Sequence, residues 1–245
     1  IQSEDIQSED IQSEDIQSED IQKKEYFMSI IKPFKGYVLD PAHAQTVSSP
    51  PYDVLSKDEA KELVKENPNS FLRIIKPEID FSDAEAPSPL TLHKKAKENL
   101  TTLIDKQLFK QQDRPCFYLY KQAIDQHEQI GVVAGASVKE YINNQIKKHE
   151  LTRSDKEDDR ALHVETVNAN TGPVFLTYPA QEAIDSFIKE KCQNTPYINF
   201  TADDNVTHTV WVLDQEEEIK TLTKLFETLP NLYIADGHHR SAAAA

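Results

Sequence analysis

The chain has 245 residues, room for one or two domains with a core of useful size. Its 42 acidic and 27 basic side chains give a formal charge of −15, but residues 1–27 hold nine of the acids and two of the lysines, so the other 218 residues carry −8. A mildly acidic body without a basic stripe is a poor grip for nucleic-acid phosphates, and no apolar run reaches the ~20 residues of a membrane span. Residues 1–27 lack the basic start and apolar core of a secretory signal. Cys116 and Cys192 stand far apart and form no C-x-x-C, so neither a disulfide framework nor a zinc knuckle is supported. A cytoplasmic protein without nucleic-acid or membrane partners is expected.

Residues 1–20 are four copies of Ile-Gln-Ser-Glu-Asp, and Met28, the sole methionine, follows. A five-residue repeat advances about 140° per copy at about 100° per residue, so its isoleucines spiral and make no stripe. Residues 1–27 therefore read as a disordered repeat or tag-like segment, and 28–245 as the N-terminal portion of a single α/β protein, with 28–113 and 114–245 as subregions. The chain stops at Ala245, just after its most suggestive motif, where a helix should be starting, which reads as a C-terminal truncation.

In chain order, residues 29–40 read as extended, and Pro50-Pro51 keeps the chain extended ahead of Tyr52-Asp53. Ser56 and Glu59 match a capping box for a helix over 57–66, ended by Asn67-Pro68. Residues 71–75 suit a short strand and 77–89 a polar loop. Leu90, Leu92, Ala96, Leu100, Leu103, Ile104 and Leu108 recur mostly at three- and four-residue spacing, predicting an amphipathic helix over 89–111. Strands at 116–121 and 129–137 flank a turn and predict a hairpin. A short helix is expected within 137–145, and one over 154–169 opened by Ser154-Asp155. Gly172-Pro173 breaks the latter. A strand at 174–178, a helix at 180–192, strands near 197–200 and 207–213, a helix at 215–228 and a strand at 232–235 complete the pattern. Such mixing means α/β or α+β, with a mixed sheet and surrounding helices.

With five glycines, neither G-x-G-x-x-G nor a Walker loop can be written. The remaining candidate is the last strand running into Asp236-Gly237-His238-His239-Arg240. Gly237 permits a tight turn, the following helix start favours an anion, Arg240 offers a bidentate fork and the histidines can donate to phosphate oxygens. Asp236 can hold a metal or orient a histidine. The competing reading is an ordinary strand–turn–helix capped by polar residues. A second cluster, Lys147-Lys148-His149-Glu150-Leu151-Thr152-Arg153, can place a base beside phosphate binders or be a solvated charged edge. Lys156, Arg160 and His163 share a helical face, which suits either a ligand or a salt-bridged surface. Tyr52 and Asp53 can form a rigid ligand wall or a structural corner. The isolated His43, His93, His127 and His208 read as surface or satisfied core residues. The histidines lack zinc-ligand spacing.

Five blocks in order, Pro50-Pro51-Tyr52-Asp53-Val54, Lys148-His149-Glu150-Leu151-Thr152, Lys156 through Arg160 with His163, Asn170-Thr171-Gly172-Pro173-Val174-Phe175 and Tyr233-Ile234-Ala235-Asp236-Gly237-His238-His239-Arg240, resemble the family known as domain of unknown function 1015. The last block is also similar to the phosphate-binding signature of the ParB/sulfiredoxin-like superfamily, which includes free-serine kinases that use ADP or ATP with Mg²⁺. That resemblance implies a phosphate loop on Asp236, Gly237, His238, His239 and Arg240, with Asp236 helping to hold Mg²⁺. It implies a catalytic role for His239 and, as base for the substrate hydroxyl, Glu150. Tyr52, Asp53, His149, Thr152, Lys156, Arg160, His163 and Asn170 would face the ligand. The function implied is a nucleotide-dependent phosphotransferase acting on a small, serine-like hydroxyl-bearing metabolite. The alternatives are a nucleotide-binding or regulatory module without turnover, or an interaction protein whose loop is merely capped. The sequence carries no signal for an oligomeric state.

Overall fold

The computed structural model describes residues 31–245; the expectations for the repeat and for the region around Met28 lie outside the described residues. Two short strands, β1 (Ile31–Lys32) and β2 (Tyr37–Leu39), open it. A single helical turn, α1 (Ala44–Val47), leads to the paired prolines. Pro51 is extended (φ −57°, ψ 147°) and Tyr52–Val54 form one 3-10 turn. Helix α2 (Lys57–Val64) starts on the expected capping box: Ser56 Oγ accepts from the Glu59 N–H at 3.2 Å, and Glu59 Oε2 accepts from the Ser56 N–H at 2.8 Å.

Two expectations fail next. Residues 71–75 are not a strand but carry a helical turn, α3 (Leu72–Ile75). Leu72 packs with Ala60, Val64 and Ile79, whereas Ile74 packs with Val47, Ala96 and Leu103. A strand would point residues 72 and 74 to the same face, whereas a helical turn sets them about 200° apart and serves both clusters. Helix α4 (Pro89–Asp105) ends before residue 111. Gln107 is left-handed (φ 59°), its N–H donates to Ile104 O at 2.8 Å and the Leu108 N–H to Leu103 O at 3.0 Å. This Schellman closure redirects the chain into β3 (Phe109–Gln111), which pairs antiparallel with β2. Leu108 stays in the same apolar cluster as Leu103, so it continued the spacing without belonging to the helix.

The expected hairpin is β4 (Phe117–Ile124) with β5 (His127–Val133), turned at Asp125 (φ 51°). After β6 (Gly135–Ala136), which pairs with β1, the Ser137 hydroxyl caps α5 (Val138–Ile142). Then come β7 (Ile146–Lys147), α6 (Ser154–Val167), β8 (Phe175–Thr177), α7 (Glu182–Lys191), β9 (Ile198–Thr201), β10 (Thr207–Leu213), α8 (Glu216–Phe226), β11 (Leu232–Asp236) and α9 (His238–Ala243). The class is mixed α and β, in several small sheets. The largest is antiparallel, in the order β5-β4-β10-β9. Phe117, Leu119, Trp211 and Leu213 from it share one core with Ile184 and Ile188 of α7 and Leu222 and Phe226 of α8. Cys116 and Cys192 are both free thiols. Among the described residues no helix is long and apolar enough to cross a membrane.

A second sheet, β7-β11-β8, joins the same core through Ile146, Leu232 and Ile234. Strand β11 runs parallel to β7 and antiparallel to β8. The ends of β7 and β11 and the start of β8 therefore lie at one edge of the sheet. Three segments converge there: residues 148–153, residues 170–174 and the Asp236-Gly237 turn. Helix α6 packs against both α4 and α9 beside this edge.

Candidate functional site

The turn after β11 is built around Gly237, whose φ of 96° and ψ of 34° are left-handed. A Cβ at Gly237 would sit 3.1 Å from Arg240 Nε, from Arg240 Nη2 and from Val174 Cγ1. Glycine is required twice over, by the backbone angle and by the side chain laid across it. The guanidinium donates to Pro173 O and to Asp236 Oδ2, each at 2.6 Å. The Gly172-Pro173 break is thus joined to the turn through Arg240, and a Cβ at Gly172 would meet Arg240 Nη1 at 3.3 Å.

In front of this junction lies a cavity of about 390 Å³, within the range of small-ligand sites. Seven of the residues singled out from the sequence line it: Tyr52, Asp53, Arg160, His163, Asn170, Asp236 and Arg240. Arg160 is held over the Tyr52 ring, 5.3 Å from its centroid, and its Nε donates to Asp159 Oδ2 at 3.2 Å. Two guanidiniums from different helices thus share one opening with a side-chain amide and two carboxylates. Ser49, whose buried Oγ has no hydrogen-bond partner among the described residues, and Thr171 complete the polar wall; Phe71 and Ile75 are on its apolar side.

The remaining candidates gather elsewhere around the turn. Glu150 Oε2 lies 3.3 Å from Nδ1 of the buried His238, with His149 edge-on to the same imidazole at 4.4 Å between centroids. His238 Nε2 is buried without a hydrogen-bond partner among the described residues. His239 Nε2 accepts from the Arg153 N–H at 3.3 Å, so the adjacent histidines address different neighbours. Glu150, His149, Thr152, Lys156, Gly237, His238 and His239 are not among the cavity-lining residues. Glu150 and His239 therefore do not share the cleft with Arg160 and Arg240.

Not evident from the sequence was a chain of polar groups, two of them buried histidines, that runs from the cavity wall to Asp159. His163 Nε2 lies 3.0 Å from Thr171 Oγ1, His163 Nδ1 lies 3.2 Å from His93 Nδ1, and His93 Nε2 lies 3.2 Å from Asp159 Oδ1. The two imidazoles are nearly perpendicular, and both residues are buried. Burial, aided by His93 and the Arg160 charge and opposed by Asp159, pulls the His163 pKa down to about 4. For Asp159, burial pushes the carboxyl upward but is outweighed by Arg160 and His93, leaving it below the usual value. The signal for His93 was its place three residues before Ala96 and ten before Leu103, on the buried stripe of α4.

Asp53 and Asp236 are the cavity carboxylates, and Mg²⁺ is commonly held by one or two carboxylates together with substrate phosphates. Among the described residues no group of three or more metal-type side chains gathers. A separate depression of about 420 Å³ is lined by Lys191, Asn194, Trp211 and Glu218 among others. Two pairs of its polar groups are engaged with each other: the Trp211 indole N–H donates to Asn194 O at 2.9 Å, and Lys191 pairs with Glu218 at 3.3 Å.

No curated protein and no solved structure matches the chain. The family described as Protein of unknown function (DUF1015) matches residues 31–245, which span both the sheet edge and every residue of the cavity, and the chain belongs to that family.

Proposed function

We propose that the cavity binds the phosphates of ADP or ATP and that the protein transfers a phosphoryl group to a small, serine-like hydroxyl compound. The observation that carries this reading is the pair of guanidiniums, Arg160 and Arg240, on one cavity of about 390 Å³ beside a glycine turn. Phosphoryl transfer asks a protein mainly for positioning and charge stabilisation, and guanidiniums supply both through paired N–H donors. Their anchors, the Tyr52 ring beneath Arg160 and Pro173 O beside Arg240, fix where the forks sit. Asn170 and the Ser49 hydroxyl add neutral donors for phosphate or ribose oxygens. Mg²⁺ held by Asp53 and Asp236 with the nucleotide would neutralise phosphate charge. The likeness of the Asp-Gly-His-His-Arg block to the ParB/sulfiredoxin-like signature supports the same assignment.

The test is to incubate the protein with ADP or ATP, Mg²⁺ and a panel of hydroxy-metabolites, following both product and thermal stability. Phosphorylated product with nucleotide-dependent stabilisation supports the reading; stabilisation without product marks a binding or regulatory module; neither removes the proposal. Truncating one partner of a hydrogen-bonded charge pair costs about 2 kcal/mol or more, so Arg240→Ala should weaken nucleotide binding by about 30-fold or more.

A further inference from the structure

The chain of polar groups that runs from the cavity wall to Asp159 has a direction that hydrogen-bond chemistry sets. A carboxylate only accepts, so Asp159 requires the proton of His93 on Nε2. With its one ring proton on Nε2, His93 presents a bare Nδ1, which would accept from Nδ1–H of His163. That leaves Nε2 of His163 bare, and the Thr171 hydroxyl donates to it. Every proton in the series points from the cavity towards Asp159, and the lone pairs of Thr171 Oγ1 remain for a group in the cavity. A network serving packing alone would end on a buried group; this one ends on a hydroxyl in the wall that also carries Arg160 and Arg240.

We infer that Thr171, His163, His93 and Asp159 form a proton path that serves the cavity, with Thr171 Oγ1 accepting the proton of the substrate hydroxyl. The inference rests on the phosphotransfer reading. As the substrate oxygen bonds to phosphorus, the P–O bond to the nucleotide breaks and the electron pair leaves on the nucleotide oxygen. The substrate proton passes to Thr171 Oγ1 while the Thr171 proton passes to His163 Nε2. His163 releases its Nδ1 proton to His93, which ends as an imidazolium against the Asp159 carboxylate. His163 acts as a conduit because burial, His93 and the Arg160 charge all disfavour a proton resting there. The charge rests instead on His93, opposite the Asp159 carboxylate.

The path gives the site a proton acceptor that Glu150 does not offer, since Glu150 faces His238 and not the cavity. Thr171 is a catalytic residue on this account; His163, His93 and Asp159 act through it. The charged and titratable groups facing His163 are His93 from α4, Asp159 and Arg160 from its own helix, and across the cavity Tyr52, Asp53, Asp236 and Arg240.

Two measurements on the full chain test the path. In nitrogen-15 spectra of labelled histidine near pH 7, His163 should carry its proton on Nδ1 and His93 on Nε2; the reverse tautomers overturn the polarity and with it the path. In a phosphoryl-transfer assay with ATP or ADP, Mg²⁺ and serine, Thr171→Val should lower kcat by about 10²- to 10⁴-fold, the usual worth of a positioned acid–base group. Nucleotide-dependent stabilisation should survive in that variant, and Thr171→Ser should restore turnover to within a few-fold of wild type. Asp159→Asn should lower kcat and displace the acidic limb of its pH profile. Unchanged kcat in a folded Thr171→Val variant overturns the path while leaving phosphotransfer intact. Absence of transfer by the wild-type chain overturns the phosphotransfer reading and the catalytic use of the path together, and the spectra alone then decide whether its polarity exists.

Discussion

Replacing Gly237 by alanine puts a Cβ into space that Arg240 and Val174 already fill. The left-handed backbone at φ 96° costs an L-residue roughly 1–2 kcal/mol. The Cβ would also lie 3.1 Å from two guanidinium nitrogens and from a valine methyl, so Arg240 must give by a few tenths of an ångström, weakening its hydrogen bonds to Pro173 O and Asp236 by about 1 kcal/mol. Stiffening the unfolded chain returns about 0.4–1 kcal/mol. The net loss is about 2 kcal/mol, which for a chain of this size lowers Tm by about 4–8 °C. Differential scanning calorimetry of Gly237→Ala beside Gly131→Ala reads this directly. Gly131 is a control because a Cβ there meets nothing within 4 Å, and its Tm should stay level or rise slightly. The same Gly237→Ala variant should lose nucleotide-dependent stabilisation. Equal melting of Gly237→Ala and wild type, with equal nucleotide response, would refute the argument that the turn exists to seat Arg240.

Because the fold holds the His163 pKa near 4 against an ordinary 6.5, the unfolded chain binds the proton first. Stability from this residue is complete above about pH 6.5 and is lost as pH falls towards 4, by about 3 kcal/mol in all. Urea midpoints from pH 7 to 4 should fall less steeply in His163→Gln than in wild type, and parallel curves would contradict the burial argument. Glu150→Gln should leave phosphoryl transfer within a few-fold of wild type while Thr171→Val does not; the opposite order in kinetic assays would return the base to Glu150. Ser56→Ala removes the side-chain half of the capping box at α2, leaving the Ser56 N–H to Glu59 Oε2 bond, and should cost about 1 kcal/mol in chemical denaturation, with no change in nucleotide response.

Much of the fold could be read in the sequence where local chemistry and burial agree. The Ser56 and Glu59 pair, the 116–133 hairpin and the strand into Asp236-Gly237 are of that kind. The failures share a cause: apolar spacing records burial, not the backbone that delivers it. Leu108 keeps helical spacing with Ile104 and Leu103, yet the left-handed Gln107 stands between them and nothing in the side-chain pattern announces it. Leu72 and Ile74 look like strand residues because both are buried, but they face different clusters.

At the site, Tyr52, Asp53, Arg160, His163, Asn170, Asp236 and Arg240 were named from sequence and meet on one cavity, although they are drawn from four stretches of the chain. What the sequence hid was the pairing across helices. His93 and His163 are 70 residues apart and touch because α4 packs on α6. Thr171, inside a block already noticed, gained a role only when His163 was found behind it. The parallel pairing of β7 with β11 explains why Glu150 follows its strand to His238 and away from the arginines.

The proposed function requires Arg160 and Arg240 to hold phosphate groups together in one cavity. Isothermal titration of the full chain with ADP or ATP in the presence of Mg²⁺, run for wild type, Arg160→Gln and Arg240→Ala, tests it most directly. Saturable binding by wild type and a loss of affinity of about 30-fold or more in each variant are expected. Wild-type affinity in both variants, or no binding heat from the wild-type chain, would contradict it.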